Sequence, residues 1–289
     1  MARNLLRAGH ELTVHNRSVE KANALAKDGA RVAKSPAEAA HEVEAVFTML
    51  ADDPAVEEVV FGDQGIGSGL RKGAAHISSS TVSTDLSQRL TEEHAKRKQL
   101  YIAAPVFGRP EAAEAKKLIV VPAGGKQAVE RYRPLFDAIG RATFVCGNEP
   151  WQANLVKLCG NFMIASMLET FSESFAAIQK AGLERKLFLD IMNELFASPV
   201  YKNYGAVIAE EKYEPAGFAL KLGLKDVKLA IDAAQGVGAA LPFASIIRDH
   251  LVSAIAHGQE QMDWSSIALV ASRAAALDGP KAKASSRSE

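Results

Sequence analysis

Roughly thirty residues, from Trp151 to Gly182, pass without a proline, and only an unbroken helix makes full use of such a run. The run opens WQANLVKLCGNFMIASMLETF and ends on a glycine that suits a helix C-terminus. At about 1.5 Å per residue it spans roughly 45 Å, the width of a domain. Leu155, Leu158, Phe162, Ala165, Leu168 and Phe175 form one apolar row, and Val156, Met163, Met167, Phe171 and Ile178 form another. A helix apolar over most of its circumference is expected to be buried. Within it, Asn154, Lys157 and Asn161 share about 60° of arc, counting about 100° per residue. Two readings of Lys157 stand on the residues alone. Its stem packs while its ammonium snorkels to solvent, or partial burial makes its proton easier to lose and it serves as an acid/base group for a substrate oxygen.

At 289 residues the chain has room for one large or two medium domains with a buried core. Thirty-four Lys and Arg balance 34 Asp and Glu, which gives no electrostatic case for nucleic acid or an anionic membrane. The two cysteines, Cys146 and Cys159, imply no disulfide framework and fit a reducing compartment. No apolar run approaches a membrane span, and the N-terminus lacks the charged-then-apolar pattern of a signal peptide. The expectation is a soluble cytoplasmic protein. The last dozen residues, DGPKAKASSRSE, read as a disordered tail over 278–289.

Before Trp151, short apolar runs alternate with helical patterns. The expected strands are Glu11–His15, Arg31–Ala33, Ala45–Leu50 (fully buried), Ala74–Ser78, Tyr101–Pro105, Leu118–Pro122 and Thr143–Cys146. Between them lie helices at Met1–Ala8, from Ser18 to about Asp28, after Ser35-Pro36, at Pro54–Phe61 and Asp85–Lys98, and one after Gly125. Gly62 to Gly69 reads as a glycine-rich turn. Such alternation implies βαβ units and a mostly parallel sheet. After Trp151 strand signals vanish, and helices are expected at Glu184–Leu195, Tyr201–Lys212, Leu220–Gln235, Pro242–His257 and Ser265–Ala276. The chain therefore divides into an α/β domain, 1–150, joined by the long helix to an all-α domain, 151–277.

After the ELTVH strand the sequence reads Asn16-Arg17-Ser18. In a dinucleotide fold an acid here accepts the ribose 2′-hydroxyl of NAD, whereas an arginine accommodates the 2′-phosphate of NADP. The bland alternative is a turn arginine feeding an N-cap serine. The seven histidines show no metal-ligand spacing; His76 on a strand and His94 on a helix read as structural. Glu169 and Glu173 share a helix face and read as an exposed or interface patch rather than a carboxylate pair. No GxSxG nucleophile motif occurs.

Several motifs occur in order: MARNLLRAGHELTVHNR, TMLADD at Thr48–Asp53, SST at Ser79–Thr81, AAPVFGRP at Ala103–Pro110, NLVKLCGN at Asn154–Asn161 and LKLGLKD at Leu220–Asp226. Each alone is weak; in register, to about Leu277, they resemble the β-hydroxyacid dehydrogenases, the family of 3-hydroxyisobutyrate dehydrogenase and tartronate semialdehyde reductase, with 6-phosphogluconate dehydrogenase more distant. The resemblance implies a Rossmann-type N-terminal domain, an all-α C-terminal domain and a homodimer. It implies an NAD(P)-dependent oxidoreductase that interconverts a small β-hydroxy acid and its semialdehyde or keto form. Lys157 matches the catalytic lysine and Asn161 the amide that helps hold substrate. Leu50 and Ala51 match backbone positions beside the adenosine half of the cofactor, Thr81 the nicotinamide-side threonine, and Lys225 a second lysine of the cleft. Asn16, Arg17 and Ser18 match NADP-preferring members, so NADP is the expected cofactor with NAD possible; no metal is expected.

Three departures from the family pattern bear on function. The family's carboxylate-binding loop carries Ser-Gly-Gly or similar, whereas this chain has Phe107-Gly108-Arg109, which removes a hydroxyl, adds an apolar wall and offers Arg109 as a bidentate carboxylate partner or a solvent-facing cation. The family glycine four residues before the lysine is Ala153. The family also begins with a strand and a GxGxxG turn, and this chain begins at the segment that follows them. The expectation is a start placed too late, the alternative a genuine short form; the Gly62–Gly69 run, which follows a helix, does not replace the missing loop. Loss of that central strand is expected to leave its two neighbours unpaired on one side. Two other functions stand beside the main one. An imine reductase would share the architecture but usually replaces the lysine. A non-catalytic dimeric binding protein would have lost its phosphate loop.

Overall fold

The computed structural model describes residues 1–277; the tail expected at 278–289 lies outside the described residues. Two compact units divide inside the long helix, Met1–Cys159 and Gly160–Glu289.

The first unit runs α1 (Ala2–Arg7), β1 (Thr13–Val14), α2 (Val19–Ala26), β2 (Arg31–Val32), α3 (Pro36–Ala40), β3 (Ala45–Thr48), α4 (Asp53–Phe61), α5 (Ile66–Gly69), β4 (Ala75–Ser78) and α6 (Thr84–Lys96). It continues with β5 (Leu100–Ala103), β6 (Val106–Phe107), α7 (Pro110–Glu114), β7 (Leu118–Val120), α8 (Lys126–Arg131), α9 (Arg133–Ile139), β8 (Gly140–Thr143) and the start of α10 (Pro150–Lys180). Parallel strands β3, β4 and β5 align Ala45 with Ala75 and Ala75 with Leu100. β1 pairs β2 in parallel, and β7 pairs β8 in parallel and β6 antiparallel. Among the described residues β1 and β3 each have a strand on one side only. One core gathers Ile77, Ile102, Leu118, Val120 and Phe136; another gathers Val56, Val60, Leu86, Leu90 and Ala153. Helix starts are fixed by side-chain oxygens. Ser35 Oγ accepts from Glu38 N–H, Asp52 Oδ1 from Ala55 N–H and Ser83 Oγ from Leu86 N–H, each satisfying a donor that the first turn leaves over.

Several expectations are corrected. The 45–50 strand ends at Thr48, and only Thr48 is buried; Ala45, Val46 and Phe47 are half-buried because β3 is a sheet edge. The Gly62–Gly69 segment contains the one-turn helix α5, packed so closely on α3 that a Cβ at Gly69 would lie 2.2 Å from the Ala37 carbonyl oxygen. A single helix after Gly125 is split into α8 and α9, where Pro134 removes an N–H needed to continue the ladder. The strand expected at 143–146 begins at Gly140 and ends at Thr143. Strand β6 and helix α7 carry too short a signal to appear in the sequence reading.

Among the described residues the second unit is helical apart from one isolated bridge: the rest of α10, α11 (Arg185–Phe196), α12 (Pro199–Ala209), α13 (Leu220–Gly236), α14 (Pro242–Ala256), a 3-10 turn (Trp264–Ile267) and α15 (Ala268–Ala274). The helix expected over 265–276 is thus divided; Asp263 holds the turn in place, accepting from the N–H groups of Ser265, Gly217 and Phe218. Leu168, Phe171 and Phe175 of α10 pack with Ile208, Leu220, Ile247 and Trp264 in one core. Helix α10 is not buried all round: Val156 is exposed and Met163 is 72% exposed.

Beneath the central parallel sheet lies a buried polar chain. Gln99 Nε2 donates to the carbonyls of Gly67 and Leu70, which turns its Oε1 toward His94 Nδ1 at 2.7 Å. An amide oxygen accepts only, so His94 carries its proton on Nδ1 and accepts at Nε2 from His76 Nδ1, 2.9 Å away. His76 Nε2 then accepts from the Thr48 hydroxyl at 2.9 Å. All the bonds close with both rings neutral. Burial holds His76 well below its usual range, helped by His94, and burial likewise lowers His94. The unfolded chain therefore takes up protons below about pH 6.5 while the folded chain does not, and stability falls as pH drops through that window. Urea unfolding between pH 7.5 and 5 should show a loss approaching about 1.4 kcal/mol per pH unit for each histidine. The slope should be roughly halved in His94→Gln; an equal slope in the variant would remove the network from the account.

Candidate active site

Of the expected cofactor residues, those of the first unit each lie just past the carboxyl end of a strand, where open α/β sheets bind ligands, whereas Lys225 lies on α13 of the second unit. Asn16, Arg17 and Ser18 follow β1, all exposed, with Ser18 N–H donating to Asn16 Oδ1 at 2.9 Å. That bond shapes the turn and leaves the Arg17 side chain in solvent. Leu50 and Ala51 follow β3, and Thr81 follows β4 through Ser79 and Ser80, both buried. The two strand ends are tied together: Leu50 N–H donates to Ser80 Oγ at 2.8 Å, and Ser83 N–H to Asp53 Oδ1 at 3.0 Å. Ser80 and Asp53 were missed as site-shaping residues, although both stand in the motifs TMLADD and SST.

Phe107 ends β6. Gly108 follows at φ +142°, and a Cβ there would meet Leu118 Cδ2 at 2.7 Å, so the chain can turn here only at a glycine. The turn leaves Phe107 and Arg109 half-buried. From α10, Lys157 sets its Nζ 4.2 Å from the centroid of the Phe107 ring and is only 9% exposed. The structure thus brings together two residues fifty positions apart that the sequence linked only by resemblance. Its ammonium does not snorkel freely into water. Three residues earlier Asn154 is 1% exposed, and neither its amide oxygen nor its nitrogen has a partner in the protein.

One turn on along α10, in the second unit, Asn161 Nδ2 donates to Asp226 Oδ2 at 2.5 Å, and Asp226 Oδ1 lies 3.0 Å from Lys225 Nζ. Asn161 and Asp226 are both buried. Asp226 is a second residue the sequence reading did not single out; the LKLGLKD motif held it. Further along α10, Glu169 corrects an expectation. It is buried rather than exposed, because it faces α14, where His250 Nδ1 sits 2.6 Å from its Oε1. Burial raises the Glu169 carboxyl above the usual range, and the His250 bond opposes that rise. Glu173 is exposed, so the two glutamates do not act as a pair.

The donor set fits a nicotinamide dinucleotide at its two ends. Asn154 is a buried amide with donor and acceptor both unspent, the state that a bound polar group relieves. Arg17 is an exposed guanidinium beside a turn, placed to meet a phosphate. The Gly62–Gly69 run offers no phosphate cradle, since α5 is packed against α3. Among the described residues no group of His, Cys, Asp and Glu could hold a metal, and no helix is long and apolar enough to cross a membrane. Cys146 and Cys159 are free thiols.

The model for the NAD-binding domain of 6-phosphogluconate dehydrogenase matches residues 1–147, and that for the NAD-binding region of NADP-dependent 3-hydroxyisobutyrate dehydrogenase matches residues 152–271. An uncharacterised oxidoreductase of Bacillus subtilis, YfjR, is 46% identical over 92% of this chain and 93% of its own. Glyoxylate/succinic semialdehyde reductase 1 of Arabidopsis thaliana is 31% identical over 92% of each. Among solved structures, a 3-hydroxyisobutyrate dehydrogenase of Salmonella typhimurium superposes with a TM-score of 0.84 at 24% identity, covering 93% of this chain and 94% of that one.

Replacing Asp226 with alanine should remove the carboxylate that accepts from the Asn161 amide and lies beside the Lys225 ammonium, and cost about 1–3 kcal/mol of stability in urea unfolding. Asp226→Asn keeps an acceptor oxygen for Asn161 and should recover much of the loss. A wild-type midpoint in the alanine variant would show that the bond carries no stability.

Proposed function

The chain belongs to the β-hydroxyacid dehydrogenase family and is an NAD(P)-dependent oxidoreductase, and from that premise we propose that it is an NADP(H)-preferring enzyme interconverting a small β-hydroxy acid and its semialdehyde or keto form. The observation that carries the reading is Lys157: an ammonium 9% exposed on a helix otherwise suited to an interior, with uncharged amides one turn to either side. A lysine so enclosed can hand a proton to a substrate oxygen or take one from it without competition from bulk water. When bound, the nicotinamide supplies or takes the hydride. Asn161 holds substrate, its amide oriented by Asp226, and the Phe107–Arg109 loop sets the pocket wall. Lys225 and Thr81 take cofactor and substrate groups, Leu50 and Ala51 flank the adenosine, and Arg17, with Asn16 and Ser18, reads the 2′-phosphate. Support for NADP comes from the absence of an acid after β1 and from the NADP-dependent enzyme whose region matches residues 152–271. The family resemblance extends the proposal to a homodimer paired through the helical unit, and the two free thiols suit a cytoplasmic location.

Glyoxylate and succinic semialdehyde, named for a relative, are the first substrates to assay, following NADPH oxidation by absorbance. Lys157→Ala should lower turnover by about 10²–10⁴-fold, the usual worth of a positioned acid/base group, while NADPH affinity by fluorescence titration changes little. Arg17→Ala should weaken NADPH roughly tenfold or more and leave NADH unchanged. Undiminished turnover in the lysine variant would remove Lys157 from the chemistry; equal weakening of both nucleotides would remove Arg17 from phosphate reading.

A further inference from the structure

Helix α11 is apolar on two sides. Leu189 is buried, and Phe188 and Met192 pack against the core of the helical unit. On the other side Leu187, Ile191 and Leu195 recur every fourth residue and so stay within about 80° of arc. These three, with Leu183 just ahead of the helix, are between 52% and 66% exposed. Exposed Phe196 and Val200 carry the apolar surface on to the start of α12. A helix anchored by one face gains nothing from a second apolar stripe left in water, and a stripe this long marks an interaction surface.

The charges beside the stripe are ordered. Lys186, Asp190 and Glu194 follow the same four-residue spacing along its flank, reading plus, minus, minus. A second α11 laid parallel would set like charge on like. Laid antiparallel about Leu189, it brings Leu187 opposite the partner's Ile191 and Leu183 opposite the partner's Leu195. In that register Lys186 falls between the partner's Asp190 and the partner's Glu194, and the two-fold axis repeats the arrangement. Asp190, Ile191, Asn193, Glu194 and Lys202 line a groove there, and Asn193 Oδ1 is buried with no hydrogen-bond partner among the described residues. Two carboxylates and an unspent amide oxygen call for a donor, and an ammonium brings three N–H groups. Lys186 now meets its own Asp190 at 2.5 Å in an exposed pair, which holds it weakly enough to be shared. The same acids disfavour an anionic membrane as the occupant.

We propose that the exposed face of α11 is an interface between two copies of this chain, packed antiparallel across a two-fold axis at Leu189. The apolar side chains close its centre, and Lys186 of each copy reaches the acids of the other. The inference rests on the homodimer proposed above only in naming its surface. It uses no residue of the candidate active site, and its test reads mass rather than turnover.

Light scattering on the full chain should give twice the mass of one copy or a larger even multiple. Ile191→Glu sets a carboxylate into the apolar centre from both sides. It should weaken association roughly a hundredfold or more and halve the mass, with the far-UV circular dichroism unchanged. Lys186→Glu should weaken association roughly tenfold, and adding Asp190→Lys and Glu194→Lys, which reverses every sign in the row, should restore it. A monomeric wild type overturns the proposal and leaves the stripe to a different partner. A mass that survives Ile191→Glu also overturns it, while a homodimer through another face stands. No recovery in the triple reversal overturns the antiparallel register.

Discussion

A helix has no slack: each N–H is committed to the carbonyl four residues back, so whatever α10 carries is held at fixed rise and angle over 31 residues. Both units build on it. Ala153 is part of a core in the first unit, and Leu168, Phe171 and Phe175 anchor the core of the second. Within the first unit, Asn154 and Lys157 inherit this rigidity, and their mutual angle cannot drift without breaking the ladder. A site on such an element holds its geometry better than one assembled from loops.

The polar interior follows one rule with informative exceptions. Where a titratable group is buried, it is kept neutral or given a partner. His76 and His94 are neutral and bonded end to end from Thr48 to Gln99. Asp226 is engaged by Asn161 and Lys225, and Glu169 is met by His250. Asn154, an amide that does not titrate, is buried with both its polar atoms unpartnered. A histidine chain that satisfies itself stabilises the sheet, whereas an amide that does not satisfy itself is an opening for something else.

The sequence made the broad architecture legible because hydrophobic period and turn chemistry agree with it. Pro36 and Pro242 start helices, Ser35 caps one, and the loss of strand patterning after Trp151 marks the second unit. What escaped depends on contacts between distant residues. β6 is two residues long and exists because Val106 and Phe107 find Val120 and Ile119 across a ladder. Glu169 reads as a surface residue until His250, 81 positions later, is brought beside it. The same holds in the site: Lys157 and Asn161 stand out on their own helix, but Asp226 and Ser80 matter through bonds that no local pattern announces. Apolar all-round patterning also overstated burial, since Met163 lies in solvent in the single chain.

The loop at 107–109 shows how function can vary on a fixed path. Gly108 is compelled twice over, by a φ that other residues rarely adopt and by Leu118 standing where a Cβ would go. The backbone turn is therefore set by packing beneath it, and the residues on either side are free to carry chemistry. A hydroxyl at position 107 would offer a substrate carboxylate a hydrogen bond. A phenylalanine offers it nothing and instead presents a π face to the Lys157 ammonium.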